Sequence, residues 1–432
     1  MPRDKQDGLA YEEDLFGPVP RWTREPAIAA IESVCRQHLN AALTDPCDVS
    51  FYAAGAFNKL FLVVYGDRSF LMRVTLPVHP HAKTRGEVAT LRWVRENTKV
   101  PVPKVVAFED SNDNEIGFEW ILMELMPGCS ANSRWRTMSM EQKVEMTTRL
   151  AEIQADLFRH GRHDSTFQNI GTLDLKTREG TPGGFPTTAI PGQLVTAEFF
   201  MGDHVHYDIP RGPFRCSFDW LSSELNIIIL EQTSAIEKAE DEDDREDAEE
   251  IQIAARRLLS ILPKFFSSTP ECAEATVLYH DDLNLNNILV DDEGNITAVV
   301  DWECVSALPF WMTTRMPKFL TEESREVEPK RDEYMDELPL EFATPTNDGD
   351  LDNEGKDQLY WIHLMEYEVT QLRKVYSSRM RELWPDWPLE ESYLQVDFFE
   401  ALLQCSAGFF LKKVNAWVDG IERGDHIRWT DA

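Results

Sequence analysis

One short segment, residues 279–303, constrains this chain more than any other part of its sequence. It places His280, Asp282 and Asn287 at fixed spacing directly before a short apolar run. Three fixed residues of this kind occur by chance in a chain of this length with odds of roughly one in fifty. The segment therefore predicts a specialised loop that leads into a strand.

A hairpin is expected to follow this loop. Residues 288–290 predict its first strand, the acidic stretch 291–295 supplies turn residues, and 296–300 predict the returning strand. In such a hairpin, the residue entering the first strand and the residue leaving the second lie side by side. Asn287 and Asp301 are therefore predicted neighbours at one open end.

The chemistry of these side chains points to phosphate transfer. Two oxygen ligands, Asn287 and Asp301, suit a Mg²⁺ ion held against phosphates, and Asp282 is placed to serve as a base for an acceptor hydroxyl. The alternative is a surface hairpin with an acidic turn and a capping His–Asp pair. A simple hairpin has no need of the preceding loop, which favours the functional interpretation.

These residues carry a family resemblance. The matching runs are His280–Leu283, Asn287–Val290 and Asp301–Glu303. They resemble the aminoglycoside phosphotransferase and choline kinase-like superfamily, and more closely its fungal phosphotransferase-family proteins. The resemblance implies a two-lobed, protein-kinase-like fold with ATP in the cleft. It also implies that Asp282 is the catalytic Asp, that Asn287 and Asp301 bind Mg²⁺, and that His280 supports the catalytic loop.

Composition limits the class of protein and its compartment. A net charge of −33 argues against a nucleic-acid or anionic-membrane binder, because such binding needs a basic surface. The seven scattered cysteines form no C-x-x-C pair, which argues against a disulfide framework or zinc site and for a reducing compartment. No run approaches the ~18 apolar residues of a membrane span, and the N-terminus lacks a signal-peptide core. A cytoplasmic protein is expected.

The order of predicted elements indicates an α+β fold with a β-rich N-lobe and a mainly helical C-lobe. Residues 1–44 are expected to form an irregular tail, up to residue 25, and then a helix from Pro26. Residues 45–126 show the order strand-loop-strand-strand-helix-strand-strand of a kinase N-lobe. Residues 127–432 form the C-lobe, with the catalytic loop at 279–303 and an acidic insertion at 236–250. The insertion is expected to be a solvated helix face or loop, with a partner contact as the alternative.

Two residues of the N-lobe are expected to bind the nucleotide phosphates. Arg73 lies on the second strand of a hairpin where protein kinases carry Lys, and Glu87 opens the following helix as its partner. Arginine binds phosphate oxygens through a bidentate fork. The alternative is an exposed strand Arg paired with a surface Glu. Asn58 and Lys59, at the end of a small-residue loop, are predicted to cover the phosphates, although this loop alone indicates only a turn.

Other assignments follow from position in the chain. The backbone of Glu124 and Met126 is expected to hold the adenine at a hinge, although an ordinary strand end fits equally well. Glu303 is expected to cap a helix or turn, with an approach to the metal as the alternative. Two irregular stretches, 181–186 and 209–213, are expected to shape an acceptor pocket.

The predicted function is ATP- and Mg²⁺-dependent transfer of the γ-phosphate to a hydroxyl of a small molecule. The net acidity favours a neutral or cationic alcohol. A protein kinase is less favoured, because the chain reaches Pro309 eight residues after Asp301 and no Ala-Pro-Glu follows. A catalytically inactive scaffold of the same fold stays open as an alternative.

Overall fold

The computed structural model describes residues 5–14, 17–42, 44–163, 167–176, 188–269, 274–336, 353–388 and 392–431. Its strands are β1 Leu9–Asp14, β2 Gly17–Trp22, β3 Cys47–Ala54, β4 Asn58–Tyr65, β5 Arg68–Thr75, β6 Val105–Glu109, β7 Glu119–Glu124, β8 Cys129–Ser130, β9 Gly171–Lys176, β10 Thr188–Pro191, β11 Thr276–Tyr279, β12 Ile288–Val290, β13 Ile296–Val299 and β14 Ser306–Pro309. Its α-helices are α1 Ile28–Leu39, α2 Ala82–Asn97, α3 Ala131–Arg134, α4 Met140–His163, α5 Ala197–Phe200, α6 Ser217–Lys238, α7 Glu242–Ile261, α8 Gln358–Leu383, α9 Tyr393–Ser406 and α10 Leu411–Arg423.

The fold is α+β, as the sequence predicts. A five-stranded antiparallel sheet of order β3-β4-β5-β7-β6 forms the N-terminal lobe, with α2 inserted between β5 and β6. The longer helices lie after residue 139 and form most of the C-terminal lobe. The prediction of a β-rich lobe followed by a largely helical one is confirmed.

Register in the N-terminal sheet decides which side chains face the second lobe. Strands β4 and β5 pair from Asn58 opposite Thr75 to Tyr65 opposite Arg68. Because successive side chains alternate between faces, Asn58 and Arg73 share one face of this hairpin. The other face carries Phe61, Met72 and their neighbours, which form a buried cluster with Ile31 of α1.

Two paired strands form the N-terminal segment, so the prediction of an irregular tail up to residue 25 is wrong for residues 9–14 and 17–22. Strands β1 and β2 pair from Leu9 opposite Trp22 to Asp14 opposite Gly17. Pro18 and Pro20 are tolerated in β2 because each strand of a two-stranded hairpin has a free edge where a missing N–H costs no ladder hydrogen bond. Trp22 then packs on Phe118, with ring centroids 4.9 Å apart.

In the C-terminal lobe, the acidic run lies on two helices. It covers the end of α6 and the first half of α7, whose N-cap Asp241 accepts a hydrogen bond from the Asp244 amide. Acidic residues in the first turn of a helix are stabilised by its dipole. Most side chains of this run are exposed, which confirms the expectation of a solvated helix face. Within the described ranges, no helix is long and apolar enough to cross a membrane.

The short hairpin β12–β13 pairs with β8, and this sheet ties the connection after β7 to the predicted catalytic segment. Gly128 has a φ of +98°, and a Cβ at this position would lie 2.5 Å from the carbonyl oxygen of Val290. Glycine is therefore required for this close approach. Thr297 adds a hydrogen bond of 2.6 Å from Oγ1 to the carbonyl of Pro127.

Candidate active site

The predicted catalytic loop is anchored by buried side chains. Leu283 and Leu285 are 1% and 4% exposed, and they fix the loop between the strand β11 and the hairpin. His280 is 3% exposed, and its Nε2–H donates to the carbonyl of Val300 at 3.2 Å. Burial lowers the pKa of His280, so the ring is neutral at pH 7 and ties the loop to the end of the hairpin. The supporting role of His280 stays a prediction.

Asp282 lies at the turn of this loop with its carboxylate half-exposed. Its Oδ2 accepts a hydrogen bond from Asn287 Nδ2 at 2.9 Å, and its Oδ1 pairs with Lys318 Nζ at 2.9 Å. Partial burial opposes ionisation of Asp282, but the hydrogen bonds from Lys318 and Asn284 outweigh it and lower the pKa of Asp282. Asp282 is therefore an ionised carboxylate, oriented by two partners. Lys318 was not identified from the sequence, because it lies 36 residues further along the chain.

The hairpin brings Asn287 and Asp301 together, as its sequence predicts. Ile288 pairs with Val299, and the Val300 amide donates to the carbonyl of Asn287 at 2.9 Å. Asp301 has a φ of 63°, in the left-handed region that residues other than glycine rarely adopt. Such strain is concentrated at functional sites, where it fixes the direction of a side chain.

Arg73 joins the two lobes through three carboxylates. Its Nη1 lies 3.2 Å from Glu87 Oε1 on α2, and its Nη2 lies 3.0 Å from Asp301 Oδ1 and 2.6 Å from Glu303 Oε2. The predicted pairing of Arg73 with Glu87 is confirmed. The side chains of Arg73 and Glu87 are only 8% and 3% exposed, so the alternative of an exposed surface pair is wrong.

Lys83 and Glu303 complete this ion cluster, and the sequence analysis missed both roles. Lys83 is 1% exposed, and its ammonium pairs with Glu303. Asn58 donates from Nδ2 to Glu303 Oε2 at 2.9 Å and accepts from Thr75 Oγ1 at 3.1 Å. The expected cap role of Glu303 is therefore wrong. Lys83 and Glu87, four residues apart on α2, share one helix face, and this spacing was an available signal.

The electrostatics of the cluster follow from its burial. Burial opposes ionisation of Glu303, but the nearby Lys83 and Arg73 outweigh it and lower the pKa of Glu303 to about 2. Burial raises the pKa of Glu87 to about 7, although Arg73 acts in the opposite direction. Glu303 is therefore the permanent anion that holds both cations in place.

Lys59 does not reach the cluster. The preceding loop is shorter than the sequence suggested, because β4 already begins at Asn58. Alternation along the strand then directs Lys59 to the opposite face of the sheet. Its Nζ lies 2.5 Å from Glu25 and 4.8 Å from the centre of the Trp22 ring. The prediction that Lys59 covers the phosphates is not supported, and Asn58 positions Glu303 and Lys83 in the cluster.

The connection after β7 contains Glu124 and Met126, the residues that were predicted to hold the adenine. The Glu124 amide donates to the carbonyl of Lys104 at 3.0 Å. No hydrogen bond among the described residues engages the amide of Met126. This half-buried amide is available to a ligand at the edge of the sheet.

Comparison with known proteins assigns the chain to a family. A family model described as the phosphotransferase enzyme family matches residues 48–312, more than half of the chain. The chain belongs to this family. Among its relatives, a subtelomeric hrmA-associated cluster protein of Aspergillus fumigatus is 26% identical over 352 residues, which cover 72% of this chain and 65% of that protein. The chain thus spans less than two thirds of that relative's length. Clavilactone A biosynthesis cluster protein Y of Ampulloclitocybe clavipes is 24% identical over 338 residues, 78% of this chain and 68% of that protein.

Solved structures of phosphotransferases are similar at low sequence identity. A thermostable mutant of the aminoglycoside phosphotransferase APH(4)-Ia, in a ternary complex with ADP and hygromycin B, is 15% identical, with a TM-score of 0.44 over 90% of this chain and 96% of that chain. The macrolide 2'-phosphotransferase MphH of Brachybacterium faecium is 14% identical, with a TM-score of 0.37 over 92% of this chain and 94% of that chain.

Asn287 and Asp301 of this phosphotransferase-family chain fit a divalent cation. Nδ2 of Asn287 donates to the carbonyl and to Oδ2 of Asp282, both at 2.9 Å, which leaves its Oδ1 for a ligand. Oδ1 of Asp301 accepts from Arg73, while no hydrogen bond among the described residues engages Oδ2. In the same ranges, no group of three His, Cys, Asp or Glu is arranged for a metal. The two free oxygens, Asn287 Oδ1 and Asp301 Oδ2, suit Mg²⁺, which takes one or two protein oxygens together with phosphate oxygens.

A cavity of about 700 Å³ lies in the C-terminal lobe beside Asp282 and is lined in part by Lys318 and Asp281. Of the two stretches expected to shape an acceptor pocket, 181–186 lies outside the described residues. In the second stretch, 209–213, Arg211 donates from Nη1 to the carbonyl of Phe199 at 2.7 Å. This contact supports α5, whose Glu198 lines the cavity.

Proposed function

We propose that this protein transfers the γ-phosphate of ATP to a hydroxyl group of a small molecule and that it requires Mg²⁺. The observation that carries the proposal is the convergence of Asp282, Asn287 and Asp301 on one face of the cleft. Arg73 links this face to Glu87 of the N-terminal lobe. Family membership supports the same reaction class.

Each residue has a proposed task that follows from its contacts. Asn287 and Asp301 would hold Mg²⁺, which offsets the charge of the phosphates when it is bound. Asp282 orients the acceptor hydroxyl and accepts its proton late, since phosphoryl transfer has a loose transition state that needs little base strength. A base with a lowered pKa is adequate for this task.

The nucleotide is proposed to lie between the hinge and the ion cluster. The amide of Met126 and the carbonyl of Glu124 would bind the adenine. Arg73, fixed by Glu87 and Glu303, would direct Asp301 and supply positive charge near the phosphates. Lys83 would act through Glu303 as a positioning residue.

The acceptor is proposed to be a neutral or cationic alcohol that enters the cavity beside Asp282. We place the functional units at 1–44, 45–126 and 127–432, and the protein in the cytoplasm. The pocket near Asp282 is lined by residues of the C-terminal lobe, and its volume of about 700 Å³ suits a small molecule better than a peptide.

Turnover of ATP with Asp282→Asn tests this assignment. The substitution keeps the shape of the side chain but removes the base, so ATP consumption is expected to fall about 100-fold or more, while Mg-ATP affinity changes little. Asp292→Asn is the control, because Asp292 is an exposed residue in the turn of the same hairpin. Equal turnover in both variants, or loss of ATP binding together with turnover in Asp282→Asn, would count against the proposed role.

A further inference from the structure

The paired strands β1 and β2 are fastened to the N-terminal lobe by the residues that follow β2. The ring of Trp22 packs on Phe118, with centroids 4.9 Å apart. Arg24 donates from Nη2 to the carbonyl of Gly117 at 2.6 Å, and its guanidinium lies 4.0 Å from the centre of the Phe118 ring. These contacts make the two strands part of the N-terminal lobe.

The same two strands also contact the C-terminal lobe. On β1, the hydroxyl of Tyr11 donates to the carbonyl of Phe200, the last residue of α5, at 3.2 Å. On β2, Pro18 lies against the turn after α5. Gly202 in this turn has a φ of +55°, and a Cβ at this position would lie 3.1 Å from Cγ of Pro18. Glycine therefore permits the close approach of β2 to the turn.

The side chain of Phe200 is buried between the lobes. It is 0% exposed and packs in one cluster with Leu76 and Val78, which follow β5 in the N-terminal lobe. Its ring also meets the ring of Phe57 edge to face, with centroids 5.4 Å apart. Phe57 directly precedes β4, in the loop between β3 and β4. The end of α5 is thus held by the N-terminal lobe through both its backbone and its side chain.

These contacts lie at the end of the N-terminal sheet that is remote from the proposed hinge. Strands β5 and β7 pair from Phe70 opposite Glu124 to Thr75 opposite Glu119. The connection to the C-terminal lobe leaves at Glu124, whereas the cluster around Phe200 lies beyond Thr75. Five residues of strand separate the two ends, a distance of about 17 Å. A contact so far from a hinge restrains rotation of the lobes more strongly than a contact beside it.

We propose that β1 and β2 form a strap that holds the two lobes together and must release before a nucleotide can enter or leave the cleft. This inference rests on the proposed function, because it concerns the nucleotide of that site. Within the cleft, Arg73 already joins the lobes through Asp301 and Glu303. The strap adds a second fastening at the end of the sheet opposite the hinge. Opening of the lobes is then expected to limit the rate of nucleotide exchange.

A reversible disulfide between the strap and the C-terminal lobe tests the proposal. A Cβ at Gly202 would lie 3.5 Å from Cβ of Pro18, within the range of about 3.5–4.5 Å that a disulfide needs. The double variant Pro18→Cys/Gly202→Cys should therefore lock the strap when it is oxidised and free it when dithiothreitol is added. Peptide mapping by mass spectrometry would verify the pairing, because the chain has seven cysteines of its own.

Stopped-flow fluorescence with the N-methylanthraniloyl derivative of ATP and Mg²⁺ provides the rates. Oxidation before the nucleotide is added should slow association about tenfold or more, because binding then lacks its opening step. Oxidation after the nucleotide is added should slow dissociation by a similar factor. The single variants Pro18→Cys and Gly202→Cys, treated with the same oxidant, are the controls for side reactions and for backbone strain at Gly202.

Tyr11→Phe tests the strap without added cysteines. It removes only the hydroxyl that donates to Phe200, so nucleotide dissociation should become about two- to tenfold faster, as expected for loss of one hydrogen bond. Tyr65→Phe is the matched control, because its hydroxyl donates to Asp45 Oδ2 at 3.1 Å within the N-terminal lobe. That variant should keep the native dissociation rate.

The outcomes separate the strap from the proposed function. Failure of the disulfide to form, equal rates in the oxidised and reduced double variant, or equal dissociation rates in Tyr11→Phe and Tyr65→Phe would overturn the strap. If the nucleotide still binds in these cases, the phosphotransferase proposal stands. Absence of nucleotide binding to the reduced protein would refute the proposed function and, with it, the role of the strap.

Discussion

Replacing Lys83 with methionine removes a buried cation from the ion cluster while keeping the length of the side chain. Lys83 is 1% exposed, so water cannot take its place beside Glu303. Breaking one side of a buried ion pair costs about 3–5 kcal/mol. Glu303 keeps Arg73 at 2.6 Å and Asn58 at 2.9 Å, which places the expected loss of unfolding free energy at about 2–4 kcal/mol.

The chain offers a matched control at Lys143. This lysine is 4% exposed and pairs with Glu368 at 2.6 Å in the C-terminal lobe, away from the candidate site. Lys143→Met is expected to cost a similar free energy of unfolding, because the two pairs have nearly the same burial. Urea denaturation of both variants measures this loss.

The two variants should differ in nucleotide binding. Lys83→Met frees Glu303 to draw Arg73 away from Asp301, so Mg-ATP affinity is expected to fall about tenfold or more. Lys143→Met should leave that affinity unchanged. Calorimetry on folded protein provides the comparison. Equal Mg-ATP affinities in two equally destabilised variants would refute the positioning role of the cluster and leave it a purely structural one.

Two further predictions concern the acceptor side of the cleft. Lys318→Met removes a partner of Asp282 from an exposed pair, so the unfolding free energy should change by no more than about 1 kcal/mol. Turnover is expected to fall about tenfold, because Asp282 is no longer oriented, and Lys318→Arg should restore it. Unchanged turnover in Lys318→Met would contradict the orienting role. Burial and the neighbouring Glu198 raise the pKa of Asp281 to about 6, although Arg315 acts in the opposite direction, so the folded state binds its proton more tightly than the unfolded state. Raising the pH from about 4 to 7 should therefore lower the unfolding free energy of the native protein relative to that of Asp281→Asn, as measured by urea denaturation at both pH values. A difference between the two proteins that does not change with pH would refute this prediction.

The sequence predicted the parts of the site that lie close together along the chain. The loop from His280 to Asn287 and the following hairpin form one continuous segment, so its spacing alone placed Asp301 beside Asn287. Arg73 and Glu87 followed from strand register and from the position of the helix after it. These predictions depend on local periodicity, which the sequence carries directly.

Long-range partners could not be predicted in the same way. Glu303 meets Lys83 across 220 positions, and nothing in the spacing of either residue shows that contact. Lys59 was assigned to a loop that ends two residues earlier than expected, and alternation along the strand that begins at Asn58 directs Lys59 away from the ion cluster. The cavity is built from helices and loops that are distant in sequence. In the sequence alone, Glu224, which lines the cavity, is therefore only an acidic residue on an apolar helix.

The central claim, a nucleotide site that depends on Mg²⁺ held by Asp301, is tested most directly by calorimetry of ATP binding with and without Mg²⁺. Asp301→Ala and the exposed control Asp292→Ala would be measured alongside the native protein. The account predicts Mg²⁺-dependent binding that Asp292→Ala keeps and Asp301→Ala loses. Absence of ATP binding in the native protein under both conditions, or undiminished binding in Asp301→Ala, would contradict it.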